Sequence, residues 1–268
     1  ATTEIYTLSL HDALPISLKQ ADVGIAMGIQ GTEVSREASD IILQDDRFST
    51  IVEAIREGRR IFDNIRKSII YLLCCNLSEV LCVLLSILLR FPSVFSPLQI
   101  LWVNLVTDVL PALALSLDPA EPDVMRRPPK RRNEDILTMA NKRTIFVQGA
   151  LLTAAVLASY WQSLYGGAGD AVRATEMSFH TLVFAQLFFV LNVRGASLFR
   201  SPGQLWSNPW LLAGIAASAA LQIGITFVPV LERVLNIVPL TLGEWGIVTL
   251  FAAAPTLLTQ GIRFARGN

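Results

Sequence analysis

Two short stretches of the sequence place carboxylate, amide and hydroxyl side chains in otherwise apolar surroundings. The first stretch holds Asn76 and Glu79, and the second holds Asn104, Thr107 and Asp108. Side chains three or four residues apart lie on one face of a helix, so each stretch predicts a small polar face. All five side chains carry oxygen atoms, and two carboxylates balance a divalent charge. The set therefore predicts a site for a hard cation such as Ca²⁺, Mg²⁺ or Mn²⁺.

Neighbouring residues extend this prediction and supply its alternatives. Pro111 has no amide hydrogen, so the carbonyl of Thr107, four residues earlier, loses its helical donor, and we expect this oxygen to join the site. Gln186, in a later apolar stretch, is a tentative further ligand, and structural packing explains it equally well. Hydrogen bonding between packed helices is the alternative for the whole set. Cys74 and Cys75 offer a soft-metal alternative, but adjacent residues of a helix point about 100° apart.

The elements that must position these residues are six apolar stretches. Of the 268 residues, 52% are hydrophobic and only 16% are charged, whereas soluble domains carry about 25% charged residues. This composition excludes an ordinary soluble domain and a disordered chain. Five of the stretches reach the roughly 20 residues that a membrane helix needs, and the fourth is shorter and carries Gln186 and Asn192. The stretches lie at about 67–89, 97–117, 144–165, 177–193, 209–230 and 244–263, and they predict a mainly α, six-helix transmembrane bundle.

Charge predicts the partners and the orientation of the bundle. Lys and Arg together number 22, as do Asp and Glu, so the chain has no basic excess for nucleic acid, and we expect membrane lipid as its surroundings. The basic residues concentrate before the first stretch, in the 118–143 loop and after the fourth and sixth stretches. By the positive-inside rule, both ends and this loop are cytoplasmic. We expect a multi-pass protein of a bacterial plasma membrane.

The residues before the first stretch have an α/β pattern. Residues 23–28 predict a short buried strand, and 41–43 predict a second one. Between them, Thr32 is a good N-cap for a helix over 32–38. A further helix opens at Ser49 and continues, without a strong break, into the first apolar stretch.

Several motifs resemble those of P-type ATPases of the calcium-pump branch. ADVGIAMG at 21–28, GTEV at 31–34 and EASD at 37–40 resemble the end of the HAD-like phosphorylation domain. NLSE at 76–79 resembles the cation-binding motif of the fifth membrane helix, and LWVNLVTD at 101–108 resembles the sixth. The segment DVMRRPP at 123–129 is similar to the cytosolic loop that follows.

The resemblance implies a pump that moves a cation, most readily Ca²⁺, by hydrolysing ATP. Residues 18–47 would end the phosphorylation domain, 48–66 would form a stalk helix and lever, and 67–268 would be the equivalent of membrane helices 5–10. The phosphorylated aspartate, the ATP and Mg²⁺ sites and four further helices would belong to the missing N-terminal part of the same pump, so no catalytic residue is expected here. Mn²⁺ transport remains an alternative, as does a passive six-span protein without ATPase activity.

The resemblance also assigns the site residues. Those that correspond to cation ligands of the family are Asn76, Glu79, Asn104, Thr107 and Asp108. Gln186 stands where two-site calcium pumps have a glutamate, which implies one Ca²⁺ per cycle. Residues 1–17 depart from the family pattern, and 4–16 resemble a translated sequencing adapter. We expect 1–17 to be a non-native leader.

Overall fold

A computed structural model describes residues 16–92, 94–128, 135–166, 170–194 and 206–265. Most of the predicted leader, part of the 118–143 loop and all of residues 195–205 lie outside these ranges. The chain is mainly helical, as predicted. Its elements are β1 Ile25–Met27, α1 Glu33–Ala38, β2 Ile41–Leu43, α2 Phe48–Leu88, α3 Pro97–Trp102, a π-helical turn Val103–Thr107, α4 Val109–Ser116, α5 Met139–Gly166, α6 Ala171–Val193, α7 Pro209–Gly224, a 3-10 turn Ile225–Phe227, α8 Pro229–Leu235 and α9 Leu242–Ala265.

The elements form two compact units. One contains the residues up to Arg59 together with Pro122–Met125, and the other contains Arg60–Glu121 and the residues from Arg126 onward.

The first unit is built on a strand–helix–strand motif. β1 and β2 pair in parallel, with Ala26 opposite Ile42, and α1 connects them. Thr32 caps α1 as predicted, because its hydroxyl accepts a hydrogen bond from the amide of Ser35 at 3.2 Å. A Cβ atom at Gly31 would lie 2.0 Å from the carbonyl oxygen of Met27, so this turn requires glycine.

Acidic side chains of the first unit hold its turns together. The Asp40 carboxylate accepts a hydrogen bond from the amide of Gly24 at 2.8 Å. Asp46 has a left-handed backbone, with φ of 52°, and accepts hydrogen bonds from the amides of Ile29 and Gln30 at 3.0 and 2.8 Å. These amide donors, that of Ile29 foremost, hold the pKa of Asp46 below its ordinary value.

The second unit contains helices that are long and apolar enough to cross a membrane. Within the described residues there are six: α2, the segment Pro97–Ser116, α5, α6, the segment Pro209–Phe227, and α9. α6 is the most enclosed, with 78% of its most apolar window buried against 22–44% for the others. This position explains why the span tolerates Gln186 and Asn192, since both side chains face protein and not lipid.

The structure corrects three predicted boundaries. α6 begins at Ala171 and not at 177, because Asp170 caps it by accepting a hydrogen bond from the amide of Val172 at 2.9 Å. The predicted 209–230 stretch is not one helix, since Pro229 starts the separate helix α8. The 97–117 stretch is interrupted by the π-helical turn, which sequence periodicity did not predict.

Candidate cation site

One face of α2 contributes a buried carboxylate to the middle of the second unit. Tyr71, Cys75 and Glu79 lie at successive spacings of four residues, which places them on one face of the helix. All three are buried, and Glu79 is only 4% exposed. A carboxylate at this depth requires compensation, because burying an unpaired charge is costly.

The π-helical turn positions the second set of oxygen atoms. The amide of Asp108 donates to the carbonyl of Val103, five residues earlier, at 3.1 Å. This wider hydrogen-bonding pattern opens the helix between Asn104 and Asp108, and such bulges occur often at functional sites. Asp108 is 1% exposed, so the turn directs a second carboxylate into the protein.

Three elements bring their polar side chains together at Glu79. The Asn104 amide donates to Oε2 of Glu79 at 2.6 Å, and the Gln186 amide donates to Oε1 at 3.1 Å. Nearby on α2, the hydroxyl of Tyr71 donates to Oδ1 of Asp108 at 3.3 Å. The structure therefore joins Glu79, Asn104 and Gln186 directly, and it ties Asp108 to the same face of α2.

Two oxygen atoms of this cluster lack a donor. Oδ2 of Asp108 and Oε1 of Gln186 are buried and accept no hydrogen bond from the described residues. Within the described ranges, neither Glu79 nor Asp108 lies at ion-pair distance from a Lys or Arg. The cluster thus combines two carboxylates with neutral donors only, which leaves negative charge and oxygen ligands available to a cation.

Asn76 and Thr107 are placed differently from these residues. The Asn76 side chain is exposed, and its amide donates to the carbonyl of Leu72 in the same helix at 2.9 Å. The Thr107 hydroxyl donates to the carbonyl of Val103 at 3.0 Å. The Thr107 carbonyl was expected to be without a donor, but it accepts a hydrogen bond from Ser218 at 3.0 Å. A serine on α7 replaces the amide that Pro111 lacks.

The cysteines are buried small side chains. The Cys74 sulfur lies 3.8 Å from the carbonyl of Ile145 on α5, away from the carboxylate cluster. Among the described residues, no group of three or more His, Cys, Asp or Glu side chains is arranged to hold a metal ion. The predicted site has only two carboxylates, and its other ligands are neutral oxygens.

Sequence reasoning missed two residues of this region. Tyr71 shares the four-residue spacing of Cys75 and Glu79, and this signal was readable in the sequence. Ser218 had no such signal, because its partner is defined only by the packing of α7 against the π-helical turn.

A second carboxylate cluster, centred on Asp118, lies where α4 ends. Asp118 is 3% exposed. It lies 3.1 Å from Nε of Arg194 and 3.5 Å from Nζ of Lys67, and it accepts a hydrogen bond from Asn208 at 3.0 Å. Its neighbour Glu121 lies 2.9 Å from Nζ of Lys67. We call these five residues the Asp118 cluster.

Two cations favour the charged form of Glu121 in this cluster. Burial alone would raise the pKa of Glu121, but the ammonium of Lys67 and the guanidinium of Arg127 outweigh burial and hold this pKa below its ordinary value. The cluster is therefore a network of fixed opposite charges.

Comparison with known proteins identifies a matching family and several relatives. The family described as "Cation transporting ATPase, C-terminus" matches residues 92–265. The "Calcium-transporting ATPase" of Bacillus subtilis is 40% identical over 252 residues, which are 93% of this chain and 28% of that protein. The "Calcium-transporting ATPase 1" of Bacillus cereus is 36% identical over 267 residues, covering 94% of this chain and 30% of that protein.

A plant relative gives the same result. The "Calcium-transporting ATPase 4, endoplasmic reticulum-type" of Arabidopsis thaliana is 34% identical over 304 residues, covering 92% of this chain and 28% of that protein. The chain thus spans about 30% of the length of the curated relatives it matches.

Proposed function

Since this chain belongs to the family of cation-transporting ATPases, by the match to their C-terminal part, we propose that it is the ion-binding part of a P-type pump that transports Ca²⁺. ATP hydrolysis by the remainder of the pump would drive the transport. The observation that carries the proposal is the pair of buried, donor-free oxygen atoms on Asp108 and Gln186, beside a carboxylate that has only neutral partners.

The contacts of Glu79 suggest how a cation enters the site. Without a cation, the amides of Asn104 and Gln186 donate to the two oxygens of Glu79 and compensate part of its charge. An arriving Ca²⁺ displaces these donors. Rotation of both amides then presents their oxygens to the ion, which takes six to eight oxygen ligands in a flexible arrangement. Asp108 supplies the second negative charge.

Gln186 sets the proposed stoichiometry. A carboxylate at this position would add a third negative charge beside Glu79 and Asp108, whereas an amide adds none. Two carboxylates match one divalent ion, so we propose one Ca²⁺ per cycle. Mn²⁺ prefers the same hard oxygens and is the second candidate ion.

Mg²⁺ and ATP are assigned to the remainder of the pump. Three aspartates of the first unit do not fit a Mg²⁺ site, because hydrogen bonds of the turns already engage them. Asp40 and Asp46 accept backbone amides, and Asp45 accepts the hydroxyl of Thr50 at 2.7 Å. We derive no step through Mg²⁺ from these residues. The strand–helix–strand motif is proposed as the end of a HAD-like phosphorylation domain.

α2 is the proposed mechanical link. It runs for 41 residues, Phe48–Leu88, and carries Glu79. At 1.5 Å per residue such a helix is about 60 Å long. Movement at its first turns would therefore change the position of Glu79 relative to the π-helical turn. We place both ends of the chain in the cytoplasm of a bacterial cell.

Transport by a chimaera tests the proposal. The chain replaces the matching segment of the Bacillus subtilis calcium-transporting ATPase, and ATP-dependent uptake of ⁴⁵Ca²⁺ or ⁵⁴Mn²⁺ into inverted membrane vesicles is measured. We expect Ca²⁺ uptake, its loss in Asp108→Asn, and its retention in Glu232→Gln, a matched charge change outside the site. Undiminished uptake in Asp108→Asn would refute the site, and Mn²⁺ uptake alone would change the ion. Ca²⁺ leakage without ATP would support a passive protein.

A further inference from the structure

A second pair of titratable side chains lies inside the bundle, apart from the cation site. Glu176 and His180 are one turn apart on α6 and both are fully buried. Nε2 of His180 lies 2.9 Å from Oε1 of Glu176. The predicted span began at residue 177, so the sequence analysis left this carboxylate outside the membrane. Ionisable groups inside such spans are costly and are usually functional.

The carboxylate of Glu176 lacks full compensation. Neither of its oxygens accepts a well-aligned hydrogen bond from the described residues, despite the short contact to His180. A buried carboxylate in this situation neutralises by taking up a proton, because leaving the charge unpaired costs far more.

The surroundings of the pair contain few other charges. α9 places Trp245 against the His180 ring at a tilt of 50°, with 4.8 Å between centroids. The same helix brings Glu244 to Arg173 at 2.6 Å, so these two charges pair with each other. Tyr160 of α5 and Cys82 of α2 are titratable side chains of the hydrophobic cluster that also contains Phe179, the neighbour of His180 on α6. The sequences of α3 and α7 contain no titratable residue.

A chain of hydrogen bonds determines the protonation state of His180. Nε1 of Trp102 donates to Oε1 of Gln222 at 3.0 Å. An indole N–H can only donate, so this bond fixes the orientation of the Gln222 amide. The amide nitrogen of Gln222 then faces Nδ1 of His180 at 3.1 Å. Because that nitrogen is a donor, Nδ1 must accept, and the ring proton resides on Nε2.

From these contacts we propose that Glu176 and His180 form a proton-binding site, distinct from the cation site. The ligand is one proton, which adds to an oxygen of Glu176 and converts the carboxylate to a carboxylic acid. The net charge of the pair changes from −1 to 0, and no electron is transferred. His180 stays neutral, and Trp102 and Gln222 hold it as the Nε2–H tautomer.

The hydrogen-bond chain that fixes the His180 tautomer begins beside the cation site. Trp102 lies two residues before Asn104, at the start of the π-helical turn. If that turn moves, the Gln222 amide is free to turn its oxygen toward Nδ1, and His180 then accepts a second proton. The proton site itself does not rest on the proposed transport function, and the two are tested by different measurements.

The protonation state of His180 is directly measurable. The sequence contains two histidines, so His11→Ala leaves His180 as the only histidine. The full chain with ¹⁵N-labelled histidine is reconstituted in lipid nanodiscs, and its ring nitrogens are followed by NMR from pH 5 to 9. We expect one unprotonated Nδ1 and one protonated Nε2 at neutral pH. An imidazolium throughout, an Nδ1–H tautomer, or the free titration of an exposed histidine near pH 6.5 would overturn the proposal.

Two variants test the other members of the site. Trp102→Phe removes only the indole donor, and we expect a protonated Nδ1 population that is absent from the wild type and from the control Trp161→Phe. Identical spectra for both variants would overturn the role of Trp102 and Gln222. Infrared difference spectra are expected to show loss of a carboxylic-acid carbonyl band in Glu176→Gln but not in Glu244→Gln. If Glu176→Gln leaves this band unchanged, Glu176 does not hold the proton.

Discussion

One aspartate lies at each end of α4. The two are similarly buried, but they differ in the charge of their hydrogen-bond and ion-pair partners. Asp118, after the helix, is 3% exposed and faces the cations of Lys67 and Arg194. Asp108, before it, is 1% exposed, accepts a hydrogen bond from the hydroxyl of Tyr71, and keeps one oxygen that accepts none from the described residues. Fixed cations close the first site. In the part of the chain that the structure describes, the second site has no such cation, so its carboxylate oxygens remain available to a transported ion.

The largest effect is expected when the same substitution is made at both ends. Asp118→Asn removes the buried carboxylate that pairs with two largely enclosed cations, and breaking such a pair costs about 3 kcal/mol. Asp108→Asn replaces a carboxyl group that has no cationic partner among the described residues with an amide of nearly the same size, so we expect the free energy of unfolding to stay within about 1 kcal/mol of the wild type. The measurement is helix loss by circular dichroism during a denaturant titration in micelles.

Each of these variants is the control for the other, because both make the same substitution at a buried position. Equal destabilisation by the two substitutions would contradict the comparison, since it would mean that Asp108 is also compensated by fixed charge.

A smaller effect is expected when Ca²⁺ is added. A ligand at 100 times its dissociation constant stabilises the folded state by about 2.7 kcal/mol. Glu79→Gln should lose this increment, because the neutral side chain no longer attracts the ion. Without Ca²⁺, we expect Glu79→Gln to lower the free energy of unfolding by only about 1 kcal/mol. One of the two amides that donate to Glu79 then faces an amide nitrogen in place of a carboxylate oxygen. Unfolding with and without Ca²⁺, compared with Glu232→Gln, separates the two effects.

These contrasts were only partly predictable from the sequence. The spacing of Asn104 and Asp108 was enough to predict a shared polar face, because helix geometry converts spacing into direction. The same argument predicted a shared face for Asn76 and Glu79, but the structure exposes Asn76 and buries Glu79.

The hydrogen bond that the Thr107 carbonyl accepts was not predictable, since its donor, Ser218, lies 111 positions away in the sequence. Residues with a distant partner carry no local signal.

The strand–helix–strand order and the Thr32 cap were predictable for the opposite reason, since both depend on neighbours within a few residues. The start of α6 was missed because hydropathy gives no weight to the cap at Asp170. As a result, Glu176 was placed outside the span.

Substitution of the cysteines tests whether a sulfur atom takes part in cation binding at the second site. Cys75→Ala leaves a small cavity on the buried face of α2 and should cost about 1 kcal/mol of stability. We expect the dissociation constant for Ca²⁺, from ⁴⁵Ca²⁺ binding to the reconstituted chain, to change less than about twofold, because hard cations do not need sulfur. Cys74→Ala, which faces α5, is the matched control. A large loss of affinity in Cys75→Ala alone would restore the soft-metal alternative.

The smallest effect concerns pH at the Asp118 cluster. The folded-state pKa of Glu121 lies below its ordinary value of 4.5. Its carboxylate therefore stabilises the fold fully above about pH 4.5, and this contribution is lost as the pH falls through the lowered pKa. The difference in melting temperature between the wild type and Glu121→Gln should be greatest near neutral pH and should shrink below pH 4.5. Because Glu121 is partly exposed, added salt should also reduce it. A difference that is unchanged down to pH 3 would show that Lys67 and Arg127 do not compensate this carboxylate.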